Sequence, residues 1–234
     1  RPHRRNACFQ SRRTAALELG TAYPGIGTSV MMQNEQIARL HIKLDDIEPR
    51  IWRRVEVPLA MSLKGLHDVI QAVMLFEDYH LFEFEAGGRH YDVPDPAEDY
   101  GRKTYAAKNA RIRTLIDRGI TTFAYTYDFG DNWRHTVVVE SVEAADPAFE
   151  YPRFLEGENR APPEDVGGTF GFADFLEAMA KPRHPQHREL VQWHGGRFEP
   201  GDISVDLINQ RIAKLARRRA LGKAGFAKSQ NQQH

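Results

Sequence analysis

Residues 82–93 read Phe82-Glu83-Phe84-Glu85-Ala86-Gly87-Gly88-Arg89-His90-Tyr91-Asp92-Val93, and this stretch decides the fold. A Gly-Gly pair between two alternating runs makes a two-residue hairpin turn, because its central positions need positive φ. The turn sets the register. Phe84 falls opposite Tyr91, Phe82 opposite Val93, and Glu85 opposite His90. Aromatic side chains then share one face and polar ones the other, as a sheet with one buried face requires. By the same parity His80 belongs to the aromatic side.

Working upstream, Leu40, Ile42 and Leu44 alternate with His41 and Lys43, a half-buried strand. Asp45-Asp46-Ile47-Glu48-Pro49 is a turn, and the β-formers of 50–57 complete a first hairpin. Ser62 then caps a helix in which Leu63, Leu66, Ile70, Val73 and Met74 form one stripe, with His67 at its edge. Downstream, 94–110 reads as a mobile loop and 114–118 as a short helix stopped by Gly119. A third hairpin runs over 121–128 and 133–142, turning at Phe129-Gly130-Asp131-Asn132. Residues 151–168 are rich in Pro and Gly and read as irregular. Helices follow: one with the stripe Phe172, Phe175, Leu176 and Met179, and one over 184–193 with Pro185 in its first turn. Ser204 caps a last helix in which Val205, Ile208, Ile212 and Leu215 share one face and Arg211, Lys214 and Arg218 share another. Strands come first, helices last, and no βαβ alternation occurs. The expectation is an α+β fold, an antiparallel sheet built from hairpins with helices packed on one face and a helical C-terminal part.

The 32 Lys and Arg residues balance 32 Asp and Glu. This neutrality conceals segregation: residues 1–31 carry a net +4, 32–210 a net −11, and 211–234 a net +7. An acidic body with basic ends repels polyanions except near its termini. No stretch reaches the ~20 apolar residues of a membrane span. The N-terminal arginines precede no apolar signal core, and the single Cys8 supplies no disulfide framework. A cytoplasmic protein without a membrane partner is expected. Residues 1–36 lack periodicity and read as a disordered or loosely attached arm. The pair Met31-Met32 suggests a natural start at its end. Residues 37–220 form a single domain and 221–234 a polar basic tail.

Three segments hold residues suited to chemistry. Tyr127-Asp128-Phe129-Gly130-Asp131-Asn132-Trp133-Arg134-His135 gathers two carboxylates, a Trp and a His about a tight turn. It suits cation binding or a histidine base oriented by an acid, although Asp, Gly and Asn are also what a turn selects. Its Asp-Phe-Gly lacks the rest of a kinase signature. Pro162-Pro163-Glu164-Asp165-Val166-Gly167-Gly168-Thr169 leads into a helix, and Glu164 and Asp165 would repel an anion there. The simpler reading is a rigid loop with Thr169 as cap. Eight of the ten histidines lie between 41 and 194, and a zinc site from His80, His90, His135 and the pair His184 and His187 is conceivable, although that pair straddles Pro185 at a helix start and no His-Glu-x-x-His is present. Arg217-Arg218-Arg219 suits phosphates or simply a helix C-terminus.

Taken in order, Ile51-Trp52-Arg53-Arg54, Val57-Pro58, Leu66-His67, Ile70-Gln71, His80-Leu81 and Tyr91-Asp92-Val93-Pro94-Asp95-Pro96 are distinctive. They continue with Tyr125-Thr126-Tyr127-Asp128-Phe129-Gly130-Asp131, Trp133, His135, Tyr151-Pro152, Pro162-Pro163-Glu164-Asp165, Gly167-Gly168 and His184-Pro185 with His187. Over about residues 37–210 the chain resembles the plasmid pRiA4b ORF-3-like family of bacterial and archaeal proteins. The resemblance implies a compact α+β domain of unassigned activity, often encoded on plasmids or near mobile elements. Some relatives are labelled transposon resolvases. That label does not transfer, because Ser62 is a helix cap and no second DNA-binding domain fits after 220. Where relatives often have cysteines, this chain has Phe154, Ala161 and Val166, so a thiolate metal site is not expected.

The functional expectation is a non-enzymatic binding or adaptor domain of a plasmid or mobile-element accessory protein, with an unidentified protein or small-molecule ligand. Its binding residues would be His80, Tyr127, Asp128, Asp131, Trp133, His135, Glu164 and Asp165. Aromatic side chains would line the groove and carboxylates its rim, with no cofactor and no metal. The rival is a hydrolase-like or metal-assisted enzyme using Asp128, Asp131 and His135. A weaker alternative is nucleic-acid contact through Arg211, Lys214 and Arg218.

Overall fold

Alternation at the start of the domain does what the sequence expects. Ala38, Leu40, Ile42 and Leu44 are buried, while Arg39, His41 and Lys43 face the other way. A computed structural model describes residues 35–94 and 103–231 of the chain, with side chains of the last helix as far as Gly225. The elements are β1 (Gln36–Leu44), β2 (Trp52–Pro58), α1 (Leu63–Met74), β3 (Phe82–Ala86), β4 (Arg89–Asp92) and β5 (Thr104–Ala106). Then come α2 (Ile112–Asp117), β6 (Thr122–Tyr127), β7 (Trp133–Ala144), β8 (Arg153–Glu158), α3 (Gly168–Ala180), α4 (His187–His194) and α5 (Val205–Asn231).

The strands form one sheet in the order β5-β4-β3-β6-β7-β1-β2-β8, antiparallel except for β4 with β5. All three hairpins of the sequence reading are present, and the second pairs Phe84 with Tyr91 and Glu85 with His90. Its ladder ends at Asp92, so Val93 does not pair with Phe82 but stands exposed. Helices cover one face. Leu66, Ile70 and Val73 of α1, Phe172 and Phe175 of α3, and Ile208 and Ile212 of α5 share one core with the inward strand residues. The opposite face carries ion pairs, including Arg39 with Glu56, Arg153 with Glu56, and Arg54 with Glu140 and Glu156. Partly solvated pairs of this kind contribute little individually, so one-sided burial dominates the energetics.

Several local expectations are corrected. The loop of 94–110 contains β5, which pairs parallel with β4 and brings Tyr105 to 5.7 Å from Tyr91; three residues are too few to show a period. Residues 95–102 lie outside the described residues, as does the proposed N-terminal arm up to residue 34. The irregular reading of 151–168 missed β8, which pairs with β2 along the sheet edge. Its Gly157 is required, because a Cβ there would lie 2.6 Å from Arg53 Cδ. Thr169 is not a cap: Gly167, with φ +94°, holds that position of α3. Nor does α4 begin at 184, since turns through His184 and Pro185 precede it. Ser204 has φ +55°, and its N–H donates to Asp202 Oδ1. The last helix also continues to Asn231, through the stretch read as a tail.

Ser62 does cap α1, accepting from the Gly65 N–H at 3.1 Å. Ser62→Ala is expected to lower stability by about 1 kcal/mol, read as a shift in the urea midpoint at unchanged slope.

Candidate functional site

Residues 75–81 leave α1 through Leu75 in the left-handed region and are held by a closed ring of hydrogen bonds. The Asp78 N–H donates to Gln71 Oε1 at 2.9 Å, and Gln71 Nε2 donates to the Tyr125 hydroxyl at 3.1 Å. His67 Nδ1 stands 2.9 Å from that hydroxyl, and His67 Nε2 stands 2.8 Å from Asp78 Oδ1. A carboxylate only accepts, so Nε2 carries the imidazole proton and Nδ1 accepts from Tyr125. This ring fixes the segment that presents Tyr79 and His80.

Two further segments converge on it. Asp128 follows β6 directly with φ +55°, and its Oδ1 accepts from the Gly130 and Asp131 N–H groups at 2.8 and 3.3 Å. Glu164 and Asp165 lie in the loop before α3. That loop is docked on the turn: the Gly167 N–H donates to Asp131 Oδ2 at 3.1 Å, and a Cβ on Gly168 would meet the Asp131 carbonyl oxygen at 2.9 Å. A Cβ on Gly171 would likewise drive into the Val166 carbonyl. The glycines of 167–171 are therefore what allows α3 to bring Glu164 and Asp165 this close.

The centre of the arrangement is His80 Nε2. It lies 3.0 Å from Asp165 Oδ1, 3.5 Å from Asp128 Oδ2 and 4.0 Å from Glu164 Oε2. Each inner carboxylate has one oxygen occupied and the other turned inward. Glu164 Oε1 accepts from the Tyr127 hydroxyl at 2.9 Å and the Glu77 N–H at 2.6 Å. Asp128 and Glu164 are buried or nearly so, whereas Asp165 stands at the opening. Burial and the hydrogen bond to Glu164 push the Tyr127 hydroxyl well above its ordinary pKa, so it remains a donor.

The residues expected at a groove thus fall into three groups. His80, Asp128, Glu164 and Asp165 meet at one point, with Tyr127 beneath them. Asp131 supports the loop. Trp133 and His135 are wholly buried, and His135 Nδ1 stands 3.0 Å from the Trp133 carbonyl oxygen. This corrects the expectation that they line a groove, and it separates His135 from Asp128 and Asp131. Parity contained the signal: Tyr127 pairs with Trp133 and Tyr125 with His135, all on the core face. The exposed side chains near the opening are instead Tyr79, Leu81 and Phe129. Sequence reasoning also missed Glu77, His67 and Gln71, whose roles depend on contacts between separate elements.

The basic helix is largely committed to the protein itself. Arg211 donates to the Phe76 carbonyl and pairs with Glu77, Arg218 pairs with Asp68, and Arg219 and Lys223 both pair with Glu35. Lys214 and Arg217 are exposed. Phe154 and Val166 pack against the apolar core, and Ala161 lies within it. No helix among the described residues is long and apolar enough to cross a membrane.

Comparisons agree with this picture. The model of the family described as "Plasmid pRiA4b ORF-3-like protein" matches residues 36–207. The chain is 36% identical over 182 residues to the uncharacterized protein y4hQ of Sinorhizobium fredii, covering 77% of this chain and 92% of that one. It is also similar to the crystal structure of MM3350, a protein of unknown function from Methanosarcina mazei Go1. That likeness has a TM-score of 0.66 and 33% identity, over 72% of this chain and 94% of the other.

Proposed function

We propose that this chain, which belongs to the plasmid pRiA4b ORF-3-like family, is a binding domain whose ligand is a cation or presents a cationic group. One observation carries the reading. Asp128 and Glu164 each have one oxygen held by fixed donors and the other aimed, with Asp165, at His80 Nε2. Three formal negative charges then face at most one positive charge, and two of them are preorganised by fixed donors and largely shielded from solvent. Such a site favours positive ligands, and the −11 body adds a steering field of the same sign. Tyr79, Leu81 and Phe129 offer apolar contact around the opening, as a binding site needs beyond its charge.

A non-catalytic role fits the chemistry better than hydrolysis by Asp128, Asp131 and His135. The base of that set is in the core, and Tyr127 is held protonated. The cellular setting we favour is the cytoplasm, as an accessory protein of a plasmid or mobile element. Nucleic-acid contact is the lesser reading, since Arg211 and Arg218 already have acidic partners.

Thermal-shift titration tests the proposal with Zn²⁺, Mn²⁺, Mg²⁺, Ca²⁺, spermidine and arginine amide. At least one should raise the melting temperature saturably in the native sequence and not in Asp165→Asn. If the substitution alters no cation's effect, the reading is wrong.

A further inference from the structure

Distances around His80 point further than charge. With metal–ligand bonds of about 2.0–2.2 Å, neighbouring donors on one ion stand about 3.0–3.6 Å apart and opposite ones about 4.2 Å. The three carboxylate oxygens lie at 3.0, 3.5 and 4.0 Å from His80 Nε2, within that span. His80, Asp128 and Asp165 each offer a donor atom within 4.8 Å of the others.

A second observation is independent of those distances. His80 Nε2 and Glu164 Oε2 are both shielded from solvent, and neither makes a hydrogen bond among the described residues. An unsatisfied buried polar atom costs roughly 1–3 kcal/mol. Two of them facing each other at the convergence of three segments call for a ligand that both can bind. A proton on the imidazole would serve one carboxylate at a time. A metal ion serves His80, Asp128 and Asp165 at once and places its charge next to Glu164.

We propose that the cluster is a mononuclear site for a first-row divalent transition ion of the Zn²⁺ or Mn²⁺ class. Its ligands are His80 Nε2 and one oxygen each from Asp128 and Asp165, with the Glu164 carboxylate beside them, 4.0 Å from His80 Nε2. The inference rests on the cation-binding reading above and narrows it. An imidazole nitrogen selects against Mg²⁺ and Ca²⁺, which prefer all-oxygen sites, and carboxylate ligands select against the softer ions that thiolates hold. The supporting shell is already present. The Gly130 and Asp131 N–H groups orient Asp128, while the Tyr127 hydroxyl and Glu77 N–H orient Glu164. Asp165, with 67% of its side chain exposed, is the outer ligand and marks the side from which the ion enters.

The test uses the full chain, freed of metal with a chelator, dialysed and titrated calorimetrically with Zn²⁺ and with Mn²⁺. One ion should bind per chain. Asp165→Asn should weaken that binding at least ~10-fold, and His80→Gln by ~10–100-fold or more. Position 165 is exposed and has φ +58°, which asparagine tolerates, so this variant keeps the fold and decides the matter even if His80→Gln does not fold. Absence of stoichiometric binding, or an affinity indifferent to Asp165→Asn, overturns the assignment. If Zn²⁺ and Mn²⁺ fail while spermidine or Mg²⁺ stabilises the chain in an Asp165-dependent way, the metal assignment falls and the cation reading stands. If no cation depends on Asp165, both fall.

Discussion

Acidification from pH 7 to about 4 is expected to remove on the order of 3 kcal/mol of stability for each of two buried histidines. His135 is fully buried, and desolvation lowers its pKa to about 4, against opposing contributions from the Trp133 and Tyr125 carbonyl groups and Asp45; Arg53 lowers it further. His67 is also lowered to about 4, first by burial and then by Lys64, while Asp78 and Asp68 act the other way. The sign follows from the neutral form being favoured in the fold. Above the ordinary pKa of 6.5 both states are neutral, and these groups confer no pH dependence. Between 6.5 and 4 the unfolded chain takes up protons that the folded chain refuses, so stability falls as pH falls. Below 4 their contribution to the slope ends. Near pH 5 the two together should give a slope of roughly 2 kcal/mol per pH unit. Urea unfolding across this range should show about half of that slope in His135→Leu. An identical pH profile in the variant would refute the assignment.

Arg53→Ala should be the most damaging single truncation outside the apolar core, at about 3–5 kcal/mol. Arg53 points inward from β2 and is 1% exposed, and among the described residues it has no carboxylate ion pair. Its Nε donates to the Val73 carbonyl at 2.9 Å, and one terminal nitrogen donates to the Trp52 and Glu158 carbonyls at 2.8 and 3.0 Å. Val73 lies in the last turn of α1, where the helix presents its unpaired carbonyls and partial negative charge. One cation therefore ties the end of α1 to β2 and the edge strand β8. Burial lowers the Arg53 pKa to about 10, which still leaves it charged at neutral pH. Truncation would leave three carbonyls without their donor and a cavity beneath the helix. Arg53→Met fills the volume and should lose roughly half as much. Chemical denaturation of both variants distinguishes lost packing from lost hydrogen bonds, and an alanine variant within about 1 kcal/mol of the native sequence would refute this role.

Much of the fold was legible because local rules and tertiary demands coincide there. The Gly87-Gly88 turn, the alternation on either side and the Ser62 cap need only neighbours within a few residues. β5 was missed because it spans only Thr104–Ala106. β8 was missed because its pairing with β2 compensates for a sequence poor in strand signals. In the candidate site, residue types were read correctly, but their side was not always so. Asp128 precedes the turn with φ +55° and leaves the strand's alternation, whereas Trp133 and His135 remain within it and face the core.

The sequence by itself determined the hairpins, the one-sided burial and the family, since period, turn chemistry and motif order are properties of the linear chain. It also supplied His80, Asp128, Glu164 and Asp165 as candidates. Only the tertiary structure decided that these four meet and that His135 does not join them. His80 reaches the centre through the ring of His67, Gln71, Asp78 and Tyr125, and Glu164 and Asp165 reach it because Gly168 and Gly171 permit close backbone approach. Convergence of charges from separate segments is set by packing between elements, and no local period encodes it.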